Sequence, residues 1–320
     1  MLYPAELPGP LSKNHRGPSK RSGLKASPRG KALSMNFRRA HRCRVGLGRP
    51  GLWLLCPCAA LAALTLAGAA LAECGFPAGR AQAVAVDERL DIELADGRIV
   101  RLAGLDAPTS GHGPPETAKA AHDLLASRLV GREADLVLLS RGTDRWGRWI
   151  GDLRIVESYG GPPRSAAAAL IAAGYARVRP EFEARGCALE RLAIEDGARR
   201  ADLGVWGDPD YAVIPASDSA ELSRRDGQFV VVEGTVSRVG FGRSRLYLDL
   251  GGHDGPTIVV ARKLESAFAR MGHPVGGLVG ETIRARGALD DQFGPRIEIG
   301  DPAMIEILRG SSAPVDTKPR

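Results

Sequence analysis

An apolar, alanine-rich run at residues 52–71 limits how much of this chain can enter a globular fold. A basic segment precedes the run, and the run closes with Ala70-Leu71-Ala72 immediately before Glu73. A basic segment, an apolar segment and a small-x-small site predict a signal peptide at residues 35–72 and an exported, periplasmic or secreted protein. The run also approaches the roughly 20 residues that span a bilayer, so an uncleaved inner-membrane anchor at residues 52–71 is the alternative.

The two ends of the chain have compositions that do not favour folding. Residues 1–34 are rich in Pro, Gly, Ser, Lys and Arg, and we expect them and the tail 310–320 to be disordered. Because a signal peptide normally begins a chain, Met35 is an alternative start, in which case residues 1–34 are not translated.

The positive charge is concentrated in the segment that export would remove. Residues 1–72 hold 12 of the 44 Lys and Arg residues and one of the 37 acidic residues, so the remainder has four more acidic than basic side chains. This excludes a global basic field that attracts polyanions, and binding of nucleic acid would depend on local clusters of arginine.

Export would leave two of the five cysteines, Cys74 and Cys187. Two cysteines in an oxidising compartment predict one disulfide, and two unpaired buried thiols are the alternative. Two separated thiols without nearby histidines lack the ligand set of a metal site.

Residues 83–207 alternate between strand and helix patterns. Period-two alternation around Ala95-Asp96-Gly97-Arg98 predicts a hairpin, and apolar residues at three- and four-residue spacing predict helices that end at glycines. The sequence predicts an α+β domain with the following elements: a hairpin at 84–102, strands at 134–139 and 149–156, and helices at 116–129, 165–173 and 187–203.

A second domain is predicted at residues 228–309, after a polar linker at 208–227. Three strands, a short helix and two strands follow one another there, which is the element order of an OB-fold. The predicted elements are strands at 229–239, 246–250, 258–260, 282–289 and 296–299, and a helix at 264–271.

Three segments of the first domain resemble the thermonuclease (staphylococcal-nuclease-like) family in order and spacing. The segments are Arg101-Leu102-Ala103-Gly104-Leu105-Asp106-Ala107-Pro108, then Asp144-Arg145-Trp146-Gly147-Arg148, then Gly174-Tyr175-Ala176-Arg177-Val178. The resemblance covers residues 83–207 and implies an OB-fold-type five-stranded β-barrel with three helices. The second small OB-like barrel resembles that of exported proteobacterial members of this family.

The resemblance also implies a phosphodiesterase chemistry with calcium, two aspartates, a glutamate and two arginines. A hard cation takes oxygen ligands and polarises the phosphoryl group, and guanidinium groups bind phosphate oxygens bidentately. Carried over position by position, Arg101 and Arg148 are the catalytic arginines and Asp106 is a metal ligand. An aspartate before Pro108 also commonly caps a turn, which is the alternative for Asp106.

Two of the three family carboxylates are replaced. Thr109 occupies the position of the glutamate, and Leu90 occupies that of the second aspartate when the hairpin is aligned without gaps. Since a general base contributes about 10²- to 10⁴-fold, we expect phosphodiester hydrolysis and calcium binding that are weak or lost. Four side chains are candidate substitutes: Asp91 and Glu88 after a register shift, and His112 and Glu116 from the glycine-rich loop.

Aromatic residues beside arginines suggest binding surfaces on both domains. Trp146 and Trp149 lie near Arg145 and Arg148, and the second domain carries an aromatic and basic hairpin made by Arg238, Phe241, Arg243, Arg245 and Tyr247. Such residues stack and neutralise single-stranded nucleic acids, although a packed Trp149 and a solvated hairpin tip are the alternatives. The sequence therefore leaves three hypotheses: a weak hydrolase, a nucleic-acid-binding module, and a tandem-barrel module for a protein partner, with membrane contact only if the N-terminal segment is uncleaved.

Overall fold

The computed structural model describes residues 74–155, 164–252 and 255–308. The predicted signal segment 35–72 and the terminal segments 1–34 and 310–320 lie outside these ranges. Within them, no helix has the length and hydropathy needed to cross a membrane.

The first domain is a closed barrel of five strands in the spatial order β1-β2-β3-β6-β5. The β3 and β6 strands are parallel, the other neighbouring pairs are antiparallel, and β5 returns to β1. The elements are β1 (Phe76–Val86), β2 (Ile92–Leu94), β3 (Ile99–Leu102), β4 (Leu105–Asp106), α1 (Pro115–Leu129), β5 (Glu133–Thr143), β6 (Trp149–Ile155), β7 (Arg164–Ser165), α2 (Ala166–Ala172), β8 (Arg177–Val178) and α3 (Ala188–Arg200).

The core of this barrel is filled by alternate side chains of the strands and by helix side chains spaced four residues apart. Ile92 and Leu94 are buried and Glu93 between them is exposed, so β2 presents one face to the core. The α1 helix starts with Pro115, whose missing N–H group is not needed there, and buries Leu125 and Leu129 against the barrel. The predicted helix at 116–129 therefore forms because its apolar stripe has a barrel to cover.

The second domain repeats the same topology. Its spatial order is β10-β11-β12-β14-β13, with β12 and β14 parallel and β13 returning to β10. The fold is therefore α+β with two five-stranded OB-type barrels, and the predicted class is confirmed. The elements are β9 (Ile214–Pro215), α4 (Ser219–Arg224), β10 (Phe229–Phe241), β11 (Arg245–Leu250), β12 (Thr257–Ala261), α5 (Glu265–Arg270), β13 (Thr282–Asp290), β14 (Arg296–Ile299) and β15 (Ile305–Leu308).

The segment 208–227, which the sequence suggests is a polar linker, has regular structure. Its β9 strand pairs in parallel with β10, and Asp218 caps α4 by accepting the N–H of Glu221. Three apolar side chains of this segment are buried and attach it to the fold: Tyr211, Ile214 and Leu222. Charged and serine residues make up much of the rest of the segment, so its composition conceals its packing.

The two barrels contact each other through an apolar cluster and a buried ion pair. Val231 of β10 packs in the cluster with Ala198, Val205, Trp206 and Tyr211. Beside it, Nη1 of Arg286 on β13 lies 2.8 Å from Oε2 of Glu195 on α3, and both side chains are almost completely buried. The same Nη1 donates to the carbonyl of Val178 at 2.9 Å, so one side chain of the second barrel satisfies two acceptors of the first.

Replacing Arg286 with leucine should destabilise the chain, because the Glu195 carboxylate would stay buried without its cation. We expect the free energy of unfolding, measured in urea, to fall by about 3–5 kcal/mol. Arg238→Leu is the control, since Arg238 makes an exposed pair with Asp249 worth at most about 1 kcal/mol. A comparable small loss for both variants would contradict a stabilising role for the Arg286–Glu195 pair.

Candidate functional site

Arg148 lies in the turn before β6 and is held between two carboxylates. Asp144 accepts the backbone N–H groups of Trp146 and Arg148 at 2.9 and 3.0 Å, and it also accepts Nε of Arg148 at 2.9 Å. Gly147 has a φ of 80°, which allows the chain to close this turn. The opposite side of the guanidinium donates to Asp91, with Nη1 2.7 Å from Oδ2.

The turn before β2 presents Asp91 to Arg148. Asp87 accepts the N–H groups of Arg89 and Asp91, each at 2.8 Å, and Leu90 between them has a left-handed backbone with a φ of 65°. The Leu90 side chain is buried in the barrel core. The residue that gap-free alignment places at the second metal aspartate is thus a core residue, and its neighbour Asp91 contacts the catalytic arginine candidate.

Arg101 lies on β3 beside β6 and also has carboxylate partners. Its Nη2 donates to Oε2 of Glu181 at 3.0 Å, and its Nε lies 4.0 Å from Oδ2 of Asp144. Arg101 and Arg148 therefore share Asp144. With Asp91 and Glu181 they form a five-residue group that we call the arginine cluster.

The arginine cluster carries an excess of negative charge. Two guanidinium groups face three carboxylates, so full ionisation leaves one net negative charge. Burial raises the pKa of Asp91, and the hydrogen bond from Arg148 offsets only part of this shift. Burial also acts against ionisation of Asp144, but hydrogen bonds from Arg148 and Trp146 outweigh it and lower the pKa of that carboxyl. A phosphate that binds Arg148 would have to displace Asp91 or Asp144 from its guanidinium.

Asp106 is paired with Arg177 rather than with the arginine cluster. The two residues are cross-strand partners on β4 and β8, and Nε and Nη2 of Arg177 lie 2.9 and 2.7 Å from Oδ2 of Asp106. The guanidinium also donates to the carbonyls of Tyr211 and Phe229 at 3.2 and 2.8 Å. Phe229 begins β10, so the second barrel helps to hold the arginine that occupies Asp106.

The other substitute carboxylates and the histidine lie at the surface near this site. The Ser110 N–H donates to the carbonyl of Glu88 at 3.2 Å, which brings the glycine-rich loop beside the turn before β2. Glu88, His112 and Glu116 are exposed. In the described parts of the chain, none of these three side chains makes a hydrogen bond or ion pair with Arg101, Arg148 or Asp106.

The oxygens that a calcium ion would need do not converge. Calcium takes six to eight oxygen ligands. Within the ranges described, no group of three or more His, Cys, Asp or Glu side chains has a metal-binding arrangement. Oδ2 of Asp106 faces the Arg177 guanidinium, and Asp91 faces Arg148, so the carboxylates present do not fit the family's calcium ion.

Two exposed aromatic side chains flank the arginine cluster. Trp146 lies beside Asp144 in the turn, and the guanidinium carbon of Arg145 is 3.9 Å from its ring centroid. Phe182 follows Glu181, and the guanidinium carbon of Arg185 is 4.2 Å from its ring centroid. Trp149, by contrast, packs against the barrel core. The cluster thus has an aromatic and cationic border around an interior of paired charges.

Sequence reasoning did not assign roles to Asp144, Glu181 or Arg177. Asp144 and Arg177 stand inside the family motifs, so the motifs contain a signal for both. Glu181 has no local signal, because its contact with Arg101 joins residues 80 positions apart.

Cys74 and Cys187 form a disulfide with a Cα–Cα distance of 4.8 Å. The bond ties the start of the first barrel to the beginning of α3 across 113 residues. In the chain-entropy model a loop of this length stabilises the fold by about 4–5 kcal/mol.

Asp91→Asn should change how stability depends on pH. Because the pKa of Asp91 is raised in the folded chain, the unfolded chain loses this proton first, and stability falls as the pH rises through the folded pKa. Asparagine has no such proton, so the variant should gain stability relative to the unmutated chain as the pH rises from the ordinary aspartate pKa of 3.8 through the raised pKa of folded Asp91, measured by urea unfolding.

Asp96→Asn is the control of opposite sign. The hydrogen bond from Arg98 lowers the pKa of exposed Asp96, so this variant should lose relative stability as the pH rises. The same trend in both variants would contradict the assignment of a raised pKa to Asp91.

A comparison with protein-family models matches a region that contains four of the five residues of the arginine cluster, all except Asp91. A family model described as "staphylococcal nuclease homologue" matches residues 99–208. The protein ParB of Escherichia coli is 31% identical over 171 residues, which span 52% of this chain and 91% of that relative.

Proposed function

The chain belongs to the staphylococcal nuclease homologue family, and from that premise we propose an exported nuclease-type protein whose hydrolysis of phosphodiester bonds is weak or lost. The pairing of Asp106 with Arg177 carries this proposal. Two nitrogens of the guanidinium, Nε and Nη2, donate to Oδ2 of the one aspartate that remains at a metal-ligand position of the family motif.

The arginine cluster supports the same conclusion from the side of the substrate. All three guanidinium nitrogens of Arg148 contact Asp91 or Asp144, so a phosphate must displace those carboxylates to bind there, whereas Arg101 makes a single hydrogen bond, to Glu181. The net negative charge of the cluster opposes phosphate binding, since a phosphodiester is itself an anion. Transition-state charge is stabilised by donors that are already free and oriented, and those of Arg148 are engaged.

No side chain at the position of the family's base can take a proton from water. Thr109 is there, and its backbone exchanges hydrogen bonds with His112 at 2.8 and 2.9 Å. A threonine hydroxyl is too weak a base near neutral pH to replace a carboxylate. On this proposal, calcium is bound weakly or not at all, and the residual role of Arg101 and Arg148 is electrostatic.

A second candidate function is a binding module without catalysis. The aromatic and cationic border of the arginine cluster favours nucleic acid as its ligand, because Trp146 and Phe182 are about 64% and 70% exposed and offer ring faces to unpaired bases. A protein partner that covers these rings is the other form of this candidate.

Export is proposed from the predicted signal segment and from the disulfide. Structural disulfides persist in oxidising compartments and are rare in the cytosol, so the Cys74–Cys187 bond supports a periplasmic or secreted location. If the N-terminal segment were retained, the barrels would instead be anchored to the inner membrane.

Cleavage of single-stranded DNA and RNA, with calcium and with a chelator, tests the proposed function. We expect a rate near the uncatalysed background, and equal rates with calcium and with chelator. Arg101→Ala and Arg148→Ala should change the rate less than about tenfold, because little transition-state stabilisation remains to be lost. Arg132→Ala, an exposed arginine outside the cluster, is the matched control.

One result would overturn the proposal. Rapid calcium-dependent cleavage that is lost in both Arg101→Ala and Arg148→Ala, and retained in Arg132→Ala, would show a working phosphodiesterase. It would also require that Asp106 bind calcium through Oδ1, or that Arg177 release Oδ2.

A further inference from the structure

A groove of about 950 Å³ crosses the outer face of the second barrel. Thr257 and Val259 of β12 form its floor, together with Ala288 at the end of β13. One wall is the β11 strand with Arg245 and Tyr247, and the other is the β13–β14 hairpin with Phe293 and Arg296. In OB-type barrels this combination of central strands and flanking loops faces the ligand.

The interior of the groove is electrically neutral because each acidic group has an arginine partner. Nη2 of Arg296 lies 2.6 Å from Oδ2 of Asp290, and Nη2 of Arg245 lies 3.6 Å from Oε1 of Glu298. The floor between these pairs is made of small side chains. Uncharged rings can therefore approach the floor without meeting an unpaired carboxylate.

Two aromatic side chains in the groove are left in contact with water. Tyr247 is 39% exposed, although its strand neighbours Leu246 and Leu248 are buried, and Phe293 in the β13–β14 loop is 79% exposed. The guanidinium carbon of Arg296 is 5.5 Å from the Phe293 ring centroid, so a planar cation borders the ring. Exposed aromatic rings on opposite walls of one groove are typical of a binding site for planar groups.

Two exposed cations lie next to the Arg245 end of the groove, at the β10–β11 hairpin, outside the residues that line it. Arg243 lies in the hairpin turn, and the backbone N–H of Arg262 donates to the carbonyl of Ser244 at 3.0 Å, which brings Lys263 to the same end. Arg243 and Lys263 are exposed, and neither has an ion-pair partner among the residues that the structure describes. A ligand that combines planar neutral groups with negative charges would match this distribution.

We propose that the groove binds single-stranded nucleic acid, with bases on Tyr247 and Phe293 and phosphates at Arg243 and Lys263. The bases of a duplex stack on one another, so only an unpaired strand can place them on these rings. This site is separate from the arginine cluster, and it extends the proposed function by giving the second barrel a ligand of its own.

Binding of a labelled oligothymidylate of about ten nucleotides to the full chain, followed by fluorescence anisotropy in chelator, tests the inference. The double variant Tyr247→Ala/Phe293→Ala should weaken binding at least about tenfold. Arg243→Gln/Lys263→Gln should reduce the slope of log K against log salt by about 0.7 for each phosphate contact removed.

Matched controls come from the same barrel. Met271→Ala removes an exposed apolar side chain and Arg270→Gln removes an exposed arginine, and neither residue lines the groove or lies in the β10–β11 hairpin. Both should bind as the unmutated chain does. Thermal unfolding of each variant checks that a loss of binding is not a loss of fold.

Several results would overturn the inference. The first is the absence of saturable binding below about 1 mM. The second is binding that does not depend on salt concentration, as expected for a neutral polymer such as an oligosaccharide. The third is an equal loss of binding in the groove variants and in their controls. Binding lost only in Arg101→Ala/Arg148→Ala would move the site to the first barrel. Because binding is measured in chelator and cleavage in a separate assay, this experiment can fail while the proposed weak hydrolysis stands, and the reverse is equally distinguishable.

Discussion

The Arg177 guanidinium holds together groups from three parts of the chain: the Asp106 carboxylate, the Tyr211 carbonyl and the Phe229 carbonyl. It is 4% exposed and lies between the rings of Tyr211 and Phe229, with centroid distances of 4.6 and 5.3 Å. A buried guanidinium needs acceptors for most of its five donors. Asp106 is the only charged acceptor that it has among the residues described, so releasing Asp106 would leave a buried cation without its counterion.

This constraint connects the docking of the barrels to the chemistry of the site. The second barrel supplies the Phe229 carbonyl and ring, and Arg286 of the same barrel fixes Glu195 and the Val178 carbonyl one residue beyond Arg177. Metal binding at Asp106 would therefore compete with contacts that stabilise the interface. Since removal of one partner from a buried pair costs about 3–5 kcal/mol, the competition strongly favours the paired state.

Much of the fold follows from patterns that the sequence displays. Alternating burial in β2 and the apolar stripe of α1 are local features, and glycines mark the ends of helices. Gly174 has a φ of 73°, and a side chain there would meet the Leu203 carbonyl oxygen at 2.1 Å, so the glycine after α2 is required by both conformation and space.

The position of Asp91 could not be predicted in this way. It depends on the left-handed backbone of Leu90, which is unfavourable for a branched side chain and invisible to a gap-free alignment. The partners of Arg177 and Arg101 are also set by tertiary contacts, and no local pattern records them.

The two barrels share a topology but have used their polar side chains differently. In the first barrel the arginines of the family motifs point to protein carboxylates, and Arg177 points to the second barrel. In the second barrel the groove arginines neutralise the groove carboxylates, while Arg243, Lys263 and two aromatic rings remain at the surface. An ion pair formed within the protein is already oriented, whereas a ligand must lose translational freedom to replace it. A ligand therefore binds more easily where the protein's own ion pairs stay intact next to the binding site than where the ligand must break them. The groove of the second barrel meets that condition, and the arginine cluster of the first barrel does not.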